Sequence, residues 1–167
     1  MSFVLHFRKQ LTAPPVAVQA PGIYLRQFQI PADITPWLAL RERAMESETP
    51  RARPWSSADF RAEMTEKSWW RTDRSWVAST DSSDFVGAVT LAIRHGENAT
   101  TPVVHWLLVD PSFRRCGIAK LLMSNLERAA WNDGHREVQL ETHAGWKDAC
   151  AFYQSIGYAA LRERSSR

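Results

Sequence analysis

The amino-acid sequence predicts an α/β domain on a mixed β-sheet, and three observations carry that expectation. From Val103 onward the segments read strand, helix, strand, helix and a short last strand, an order that gives parallel neighbours. Val103–Val109 is almost entirely apolar, as a strand covered on both faces should be. The 167 residues, 44% hydrophobic and 23% charged, suit one ordinary soluble domain.

Phe3–Arg8 reads as a short strand or as an arm docked on the body. Thr12–Gly22, with Pro14, Pro15 and Pro21, reads as an extended connector, so residues 1–22 are set apart from a domain spanning 23–167. Ile23–Ile30 alternates like a half-buried strand, with Ile23, Leu25 and Gln27 on one side. Asp33 or Thr35 caps a helix with Pro36 in its first turn and Trp37, Leu38, Leu40 and Ala44 as its apolar stripe. Ser57 is the expected cap of a shorter helix carrying Ala58, Phe60, Ala62 and Met64. Strands follow at Ser75–Ser79 and Phe85–Ile93, around the polar turn Thr80–Asp84.

After Val103–Val109, Gly117–Trp131 is the clearest helix. Ile118, Leu122 and Leu126 recur every four residues, and Asn132-Asp133-Gly134 ends it. Glu137–Thr142 is a strand, Lys147–Ile156 a helix closed by Gly157, and Tyr158–Leu161 a short final strand.

Bulk properties exclude several functions. A net charge of +3 without a clustered basic arm speaks against nucleic acid. No apolar run approaches the roughly 20 residues that span a membrane. Two cysteines, Cys116 and Cys150, make no disulfide framework, so a reducing cytoplasm is the expected compartment. His95, His135 and His143 lack metal-ligand spacing, and no metal is expected. There is no serine-hydrolase G-x-S-x-G, no P-loop G-x-x-x-x-G-K-S/T and no dinucleotide G-x-G-x-x-G.

The informative stretch is Val109-Asp110-Pro111-Ser112-Phe113-Arg114-Arg115-Cys116-Gly117-Ile118-Ala119-Lys120, where a buried strand runs through a short loop into an amphipathic helix. A helix start leaves about four N–H groups unpaired at the positive end of the helix dipole, which makes an anion site. Gly117 and Ala119 let a pyrophosphate approach closely, and Arg114, Arg115 and Lys120 add charge. A capped helix with two solvated arginines is the alternative reading of the same residues.

This run resembles the acyl-CoA loop of the GCN5-related N-acetyltransferase (GNAT) superfamily, whose pattern is Gln/Arg-x-x-Gly-x-Gly/Ala after a strand ending Val-x-Pro. Val109, Pro111, Arg114, Gly117 and Ala119 meet it in register. Cys116 departs from the basic or polar residue common there. The resemblance extends from Ile23 nearly to the end. Gly22–Ile30 is similar to the family's first strand, Phe85-Val86-Gly87-Ala88-Val89 to its third, and Ala149 to Tyr158 to its A-x-x-x-Y-x-x-x-G-F ending. Trp146 stands where the family commonly has an asparagine. The chain stops nine residues after Tyr158, so the usual last strand is short or absent, and Phe3–Arg8 is a candidate to fill that edge.

The resemblance implies a single GNAT-like domain, a central twisted mixed sheet splayed between two parallel strands and flanked by about four helices. It implies acetyl-CoA as co-substrate and transfer of its acetyl group to a primary amine by direct attack in a ternary complex. The backbone of Leu107, Leu108 and Val109 would pair with the pantetheine arm. The N–H groups of Arg115, Cys116, Gly117, Ile118, Ala119 and Lys120 would hold the pyrophosphate beside Arg114, with Trp146 stacking in place of the lost asparagine.

Tyr153 matches the tyrosine that protonates the departing sulfur, and a phenol with a pKa near ~10 suits that task. A core tyrosine is the alternative. Strand alternation places His105 with Val103, Leu107 and Val109. His105 is either a base for the amine, in place of the family's Glu at the Val103 position, or a structural histidine. Trp37 and Trp55 fall where the family builds its acceptor pocket, so an aromatic wall favours a flat or apolar amine, or a cation over a ring. Glu42, Glu46 and Glu48 either steer a positive substrate or form a solvated face. The acceptor is a small molecule or a peptide amine, and an exposed sheet edge permits a homodimer. A non-catalytic acyl-CoA sensor is the competing function.

Overall fold

Seven strands and four helices make up the fold in a computed structural model, which describes residues 4–48 and 51–161. In chain order these are β1 (Val4–Gln10), β2 (Tyr24–Gln27), α1 (Ile34–Met45), α2 (Ser57–Phe60), β3 (Ser75–Ser79), β4 (Phe85–His95), β5 (Thr100–Val109), α3 (Ile118–Asn132), β6 (Glu137–His143), α4 (Lys147–Ser155) and β7 (Ala159–Ala160). The sheet order is β2-β3-β4-β5-β6-β1-β7. Every neighbouring pair is antiparallel except β5 and β6. The α/β class and the mixed sheet expected from the sequence are therefore what forms.

The N-terminal strand is an internal member of that sheet. It pairs with β6 from Val4 opposite His143 to Gln10 opposite Glu137, and on its other side with β7. Phe7 is 1% exposed and packs into the core. Within 1–22, set apart as arm and connector, the described residues thus contribute a strand, and the sheet does not begin at Ile23. A half-buried ion pair pins this strand to α3: Lys9 Nζ donates to both Glu127 carboxylate oxygens at 3.0 and 3.1 Å. The Tyr158 hydroxyl donates to the same group at 3.1 Å.

Two apolar layers sandwich the sheet. On one face α1, α2 and the turn that follows α2 bury Trp37, Leu40, Phe60 and Met64 against Val77, Ala88 and Leu108. On the other, α3 presents Ile118, Leu122 and Leu126, each at most 1% exposed, to Val89, Leu91 and Leu140. Each such side chain stabilises by roughly 1.5–3 kcal/mol relative to exposure. Gly87 lets α3 lie this close. A Cβ there would come within 2.7 Å of Ile118 Cγ2 and 2.9 Å of Leu122 Cδ1.

Local signals were read with small shifts. Ser56, not Ser57, caps α2, and Asp59 completes a reciprocal capping box with it. A π-helical turn, Arg61–Thr65, prolongs that helix. Asp33 begins α1, but its carboxylate accepts from Gln29 N–H at 2.7 Å and from Arg26 instead of capping the helix. The strand expected over Ile23–Ile30 is shorter because Phe28 turns inward after Gln27.

Candidate active site

The parallel strands β5 and β6 pair at only two positions, Val103 with Gln139 and Val104 with Leu140, and then part. The cause lies in β5. Leu108 faces Ala88 on β4, yet His105 faces Thr90, so β5 carries one extra residue over that interval. Trp106 takes up the excess with φ at 48°, a value rare for a bulky side chain. Such a bulge bends its strand and re-aims its side chains. Beyond it β5 swings away from β6 and leaves a wedge, filled by a cavity of about 970 Å³. Residues from both sheet faces line the cavity, so it passes through the gap.

The bulge also corrects the expected facing of His105. His105 and Trp106 both turn toward the α1/α2 face, where His105 stands 4.7 Å from the Trp69 ring and 6.1 Å from Trp106. Leu107 and Val109 turn to the opposite face and pack with the α3 cluster. Alternation holds from Val103 to His105 and fails after it, because an extra residue inverts the parity of the strand.

Of the three residues expected to present backbone to the pantetheine arm, the structure separates one. Leu108 is 1% exposed in the α1/α2 cluster. Its backbone faces β4 in phase with Asp110, whose N–H donates to Val86 O. Leu107 and Val109, out of phase with it, direct their backbone groups toward the gap and line the cavity.

At the end of β5, Asp110 organises the loop. Its carboxylate accepts the Ser112 N–H at 2.9 Å and the Arg43 Nε–H at 2.8 Å, and Arg43 also donates to Phe85 O at 3.0 Å. Arg43 and the Ser112 N–H hold the Asp110 carboxyl below its usual range against the opposing effect of its burial, the largest single influence. Arg115 and Gly117 then adopt left-handed φ values of 63° and 79°, and α3 starts at Ile118. Leu121 N–H donates to Gly117 O, while those of Ile118, Ala119 and Lys120 precede the first intrahelical acceptor.

A Cβ built at Gly117 meets nothing within 4 Å. The space above the helix start is therefore open, and the backbone there needs glycine for its φ. Arg114, Arg115, Gly117, Ile118, Ala119 and Lys120 all line the cavity. Cys116 does not. Its thiol is exposed and turned toward Arg114 O at 3.6 Å. This is a cradle with room, N–H donors and three cationic side chains, and it fits the pyrophosphate of a CoA thioester.

The far wall comes from α4. Trp146 sits just before its first turn, lines the cavity, and holds its ring 5.8 Å from that of His143. Tyr153 is 8% exposed, packed against Phe7, Phe152 and Tyr158 at ring distances of 6.4, 5.6 and 5.9 Å. It also lines the cavity, so the core and site readings of this tyrosine describe two sides of one ring. Its hydroxyl makes no hydrogen bond with the described residues. Burial, with Cys150 adding to it, pushes its pKa well above the ordinary value, so the proton stays on.

Burial also acts on His105, and Arg94 and Lys67 act the same way, drawing its pKa down to about 4. The imidazole is neutral at pH 7. Several cavity residues, Glu141 and Trp106 among them, carry no signal in the sequence. Glu141 continues the β6 face beside the split, and Trp106 owes its place to the bulge, which hydropathy alternation does not reveal. Among the described residues no group of three or more His, Cys, Asp or Glu could hold a metal ion, and no helix is long and apolar enough to cross a membrane.

The site is thus a split between parallel strands beside an open helix start. Comparison with known proteins gives its family: the acetyltransferase (GNAT) profile matches residues 37–158, and the chain belongs to that family. A search among curated proteins finds no match. Among solved structures, a GCN5-related N-acetyltransferase from Sphaerobacter thermophilus superposes with a TM-score of 0.78 at 21% identity, over 95% of this chain and 48% of that one. This chain therefore spans about half the length of that protein. The aminoglycoside N-acetyltransferase AAC(6')-Iy, in complex with CoA, aligns at 0.66 and 21% identity over 91% of this chain and 97% of its own. The ribosomal-protein-S18-alanine N-acetyltransferase from Escherichia coli aligns at 0.62 and 18% identity over 81% and 76%. At these identities the likeness concerns the fold.

Proposed function

We propose that this protein transfers an acetyl group from acetyl-CoA to a primary amine, with both substrates bound at once in the cleft between β5 and β6. The observation that carries this reading is convergence. One cavity is lined by the start of α3, by Leu107 and Val109, and by Tyr153. Acetyl-CoA supplies the activated acyl group. Arg114, Arg115, Lys120 and the N–H groups from Gly117 to Lys120 bind its pyrophosphate, and Trp146 flanks it.

The amine arrives from the α1/α2 face, past His105 and Trp106. Attack requires a neutral amine. His105, neutral and bordering the cavity, accepts its proton through water. The nitrogen–carbon bond forms as the carbon–sulfur bond breaks, and Tyr153 gives its proton to the thiolate. The proton that the amide nitrogen sheds returns to the Tyr153 oxygen through water, and His105 passes the ammonium proton to solvent. The products are the amide, the free CoA thiol and one proton, so total charge is unchanged. Burial keeps the tyrosine protonated until that moment.

Calorimetric titration with acetyl-CoA, against NADH and ATP as controls, tests the cradle. Thiol release with a panel of amines tests the transfer. Selective binding followed by amine-dependent thiol release supports the enzyme. Selective binding with no turnover on any amine supports an acyl-CoA sensor, and no binding sinks both.

A further inference from the structure

On the α1/α2 side, the cavity is walled mainly by apolar and aromatic groups: Ala44 and Met45 from α1, then Val103, His105 and Trp106 from β5. Three carboxylates line the cavity, and the two on this side each have a guanidinium nearby: Glu48 lies 3.9 Å from Arg114 and Glu141 lies 3.5 Å from Arg94. The third, Asp148, stands in the first turn of α4, whose Ala149 and Phe152 pack with the α3 cluster on the opposite face.

Behind the wall sits an unusual cation. Arg41 is 3% exposed, with its guanidinium 4.1 Å from the Trp55 ring and 4.6 Å from that of Trp106. One of its nitrogens donates to Arg53 O at 3.0 Å, and its buried Nε has no hydrogen-bond partner. Among the described residues no carboxylate lies within ion-pairing distance of it. A buried charge without a counter-ion keeps its field, because little water is there to screen it. The stack also holds Trp106 rigid, with Trp55 at 5.1 Å and Trp37 at 6.2 Å behind it.

We infer that the acceptor half of this cleft takes an arylalkylamine or similarly bulky apolar primary amine with a single ammonium group, packed on Trp106, and rejects acceptors carrying several ammonium groups. This rests on the acetyltransferase reading above. Both halves of the statement follow from the wall. A flat apolar group gains contact area on a fixed indole. A polyamine or aminoglycoside finds, on this wall, only carboxylates that already have a guanidinium nearby, and the field of Arg41 opposed to it.

The test uses the intact protein with saturating acetyl-CoA and follows thiol release with phenethylamine, tryptamine, spermidine and neamine. The expected result is a kcat/KM for the two arylalkylamines about tenfold or more above that for the polycations. Trp106→Ala should erase most of that advantage while leaving acetyl-CoA affinity by calorimetry unchanged. Trp106 also fills a packed cluster, so Arg41→Met is the second variant. It keeps apolar bulk between the indoles, removes the charge, and should raise spermidine turnover relative to phenethylamine. Preference of the wild-type protein for spermidine or neamine would overturn the inference and leave the acetyltransferase reading intact. Failure to bind acetyl-CoA would remove that reading, and the inference with it.

Discussion

Tyr153 is a residue with two surfaces, one packed on Phe7, Phe152 and Tyr158 and one on the cavity. Removing only its oxygen separates the two. Tyr153→Phe keeps the packing, so acetyl-CoA affinity and thermal stability should hold while kcat falls about a hundredfold or more, the usual scale for a lost general acid. An unchanged kcat would leave the ring as core alone. His105 makes a pH statement. Its folded pKa of about 4 lies below the ordinary imidazole value of 6.5, so folding favours the uncharged ring. The stability this brings is present above pH 6.5 and is lost as pH falls toward 4. Melting temperature should therefore drop more steeply over that window in the wild type than in His105→Asn. If His105 takes the amine's proton, the acid limb of kcat/KM lies near 4 as well. A limb near 6.5 would assign the base elsewhere. Both residues were visible in the sequence as types at telling offsets. The direction of His105 was not, because one inserted residue at Trp106 inverts the strand's parity and leaves no compositional trace.

Among the elements, the start of α3 was the most legible, since its Gly, its basic residues and its position after a buried strand are all local features. Gly117→Glu should abolish the calorimetric signal with acetyl-CoA, as it fills the open space over the cradle with a negative side chain and strains a φ of 79°. Retained affinity would refute the cradle. Gly87 belongs to the same helix by a different route. Gly87→Ala drives a methyl into Ile118 and Leu122 and should cost about 1–3 kcal/mol in denaturant unfolding, with the α3 start displaced from the cleft. A neutral result would show that α3 can retreat freely. The capping box at Ser56 was one residue off in the sequence reading, because Ser56 and Ser57 offer the same hydroxyl and only the reach to Asp59 distinguishes them. Leu108 was misplaced for a reason at this scale too. Which strand edge a backbone group serves depends on pairing with β4, and pairing is not written into a single segment.

Over the whole molecule, the mixed sheet follows from the order of segments, and the split follows from where β5 bends. The membership of β1 was legible in part: Phe3–Arg8 reads as a short strand and a candidate for the sheet edge, but its place between β6 and β7 was not, because β6 is remote in sequence. Its weight is nonetheless central. Phe7→Ala should cost roughly 3–5 kcal/mol, as for other buried aromatics, and should weaken acetyl-CoA binding only in proportion to unfolding. A change below about 1 kcal/mol would mean that β1 is an appendage after all.

Because β1 is made long before its partner β6, biosynthesis sets it a particular problem. Gln10 and Glu137, which meet across that pair, lie 127 residues apart. At ordinary translation speeds the strand waits on the order of 10 s for β6 to leave the ribosome. Throughout that interval Phe7 and Leu5 sit in water beside whatever else is nearby, and closing so long a loop is slow even once β6 has arrived. Over that interval β1 is open to mispairing, so a holdase that shields Val4–Gln10 should raise the yield of folded protein more than one acting on β6.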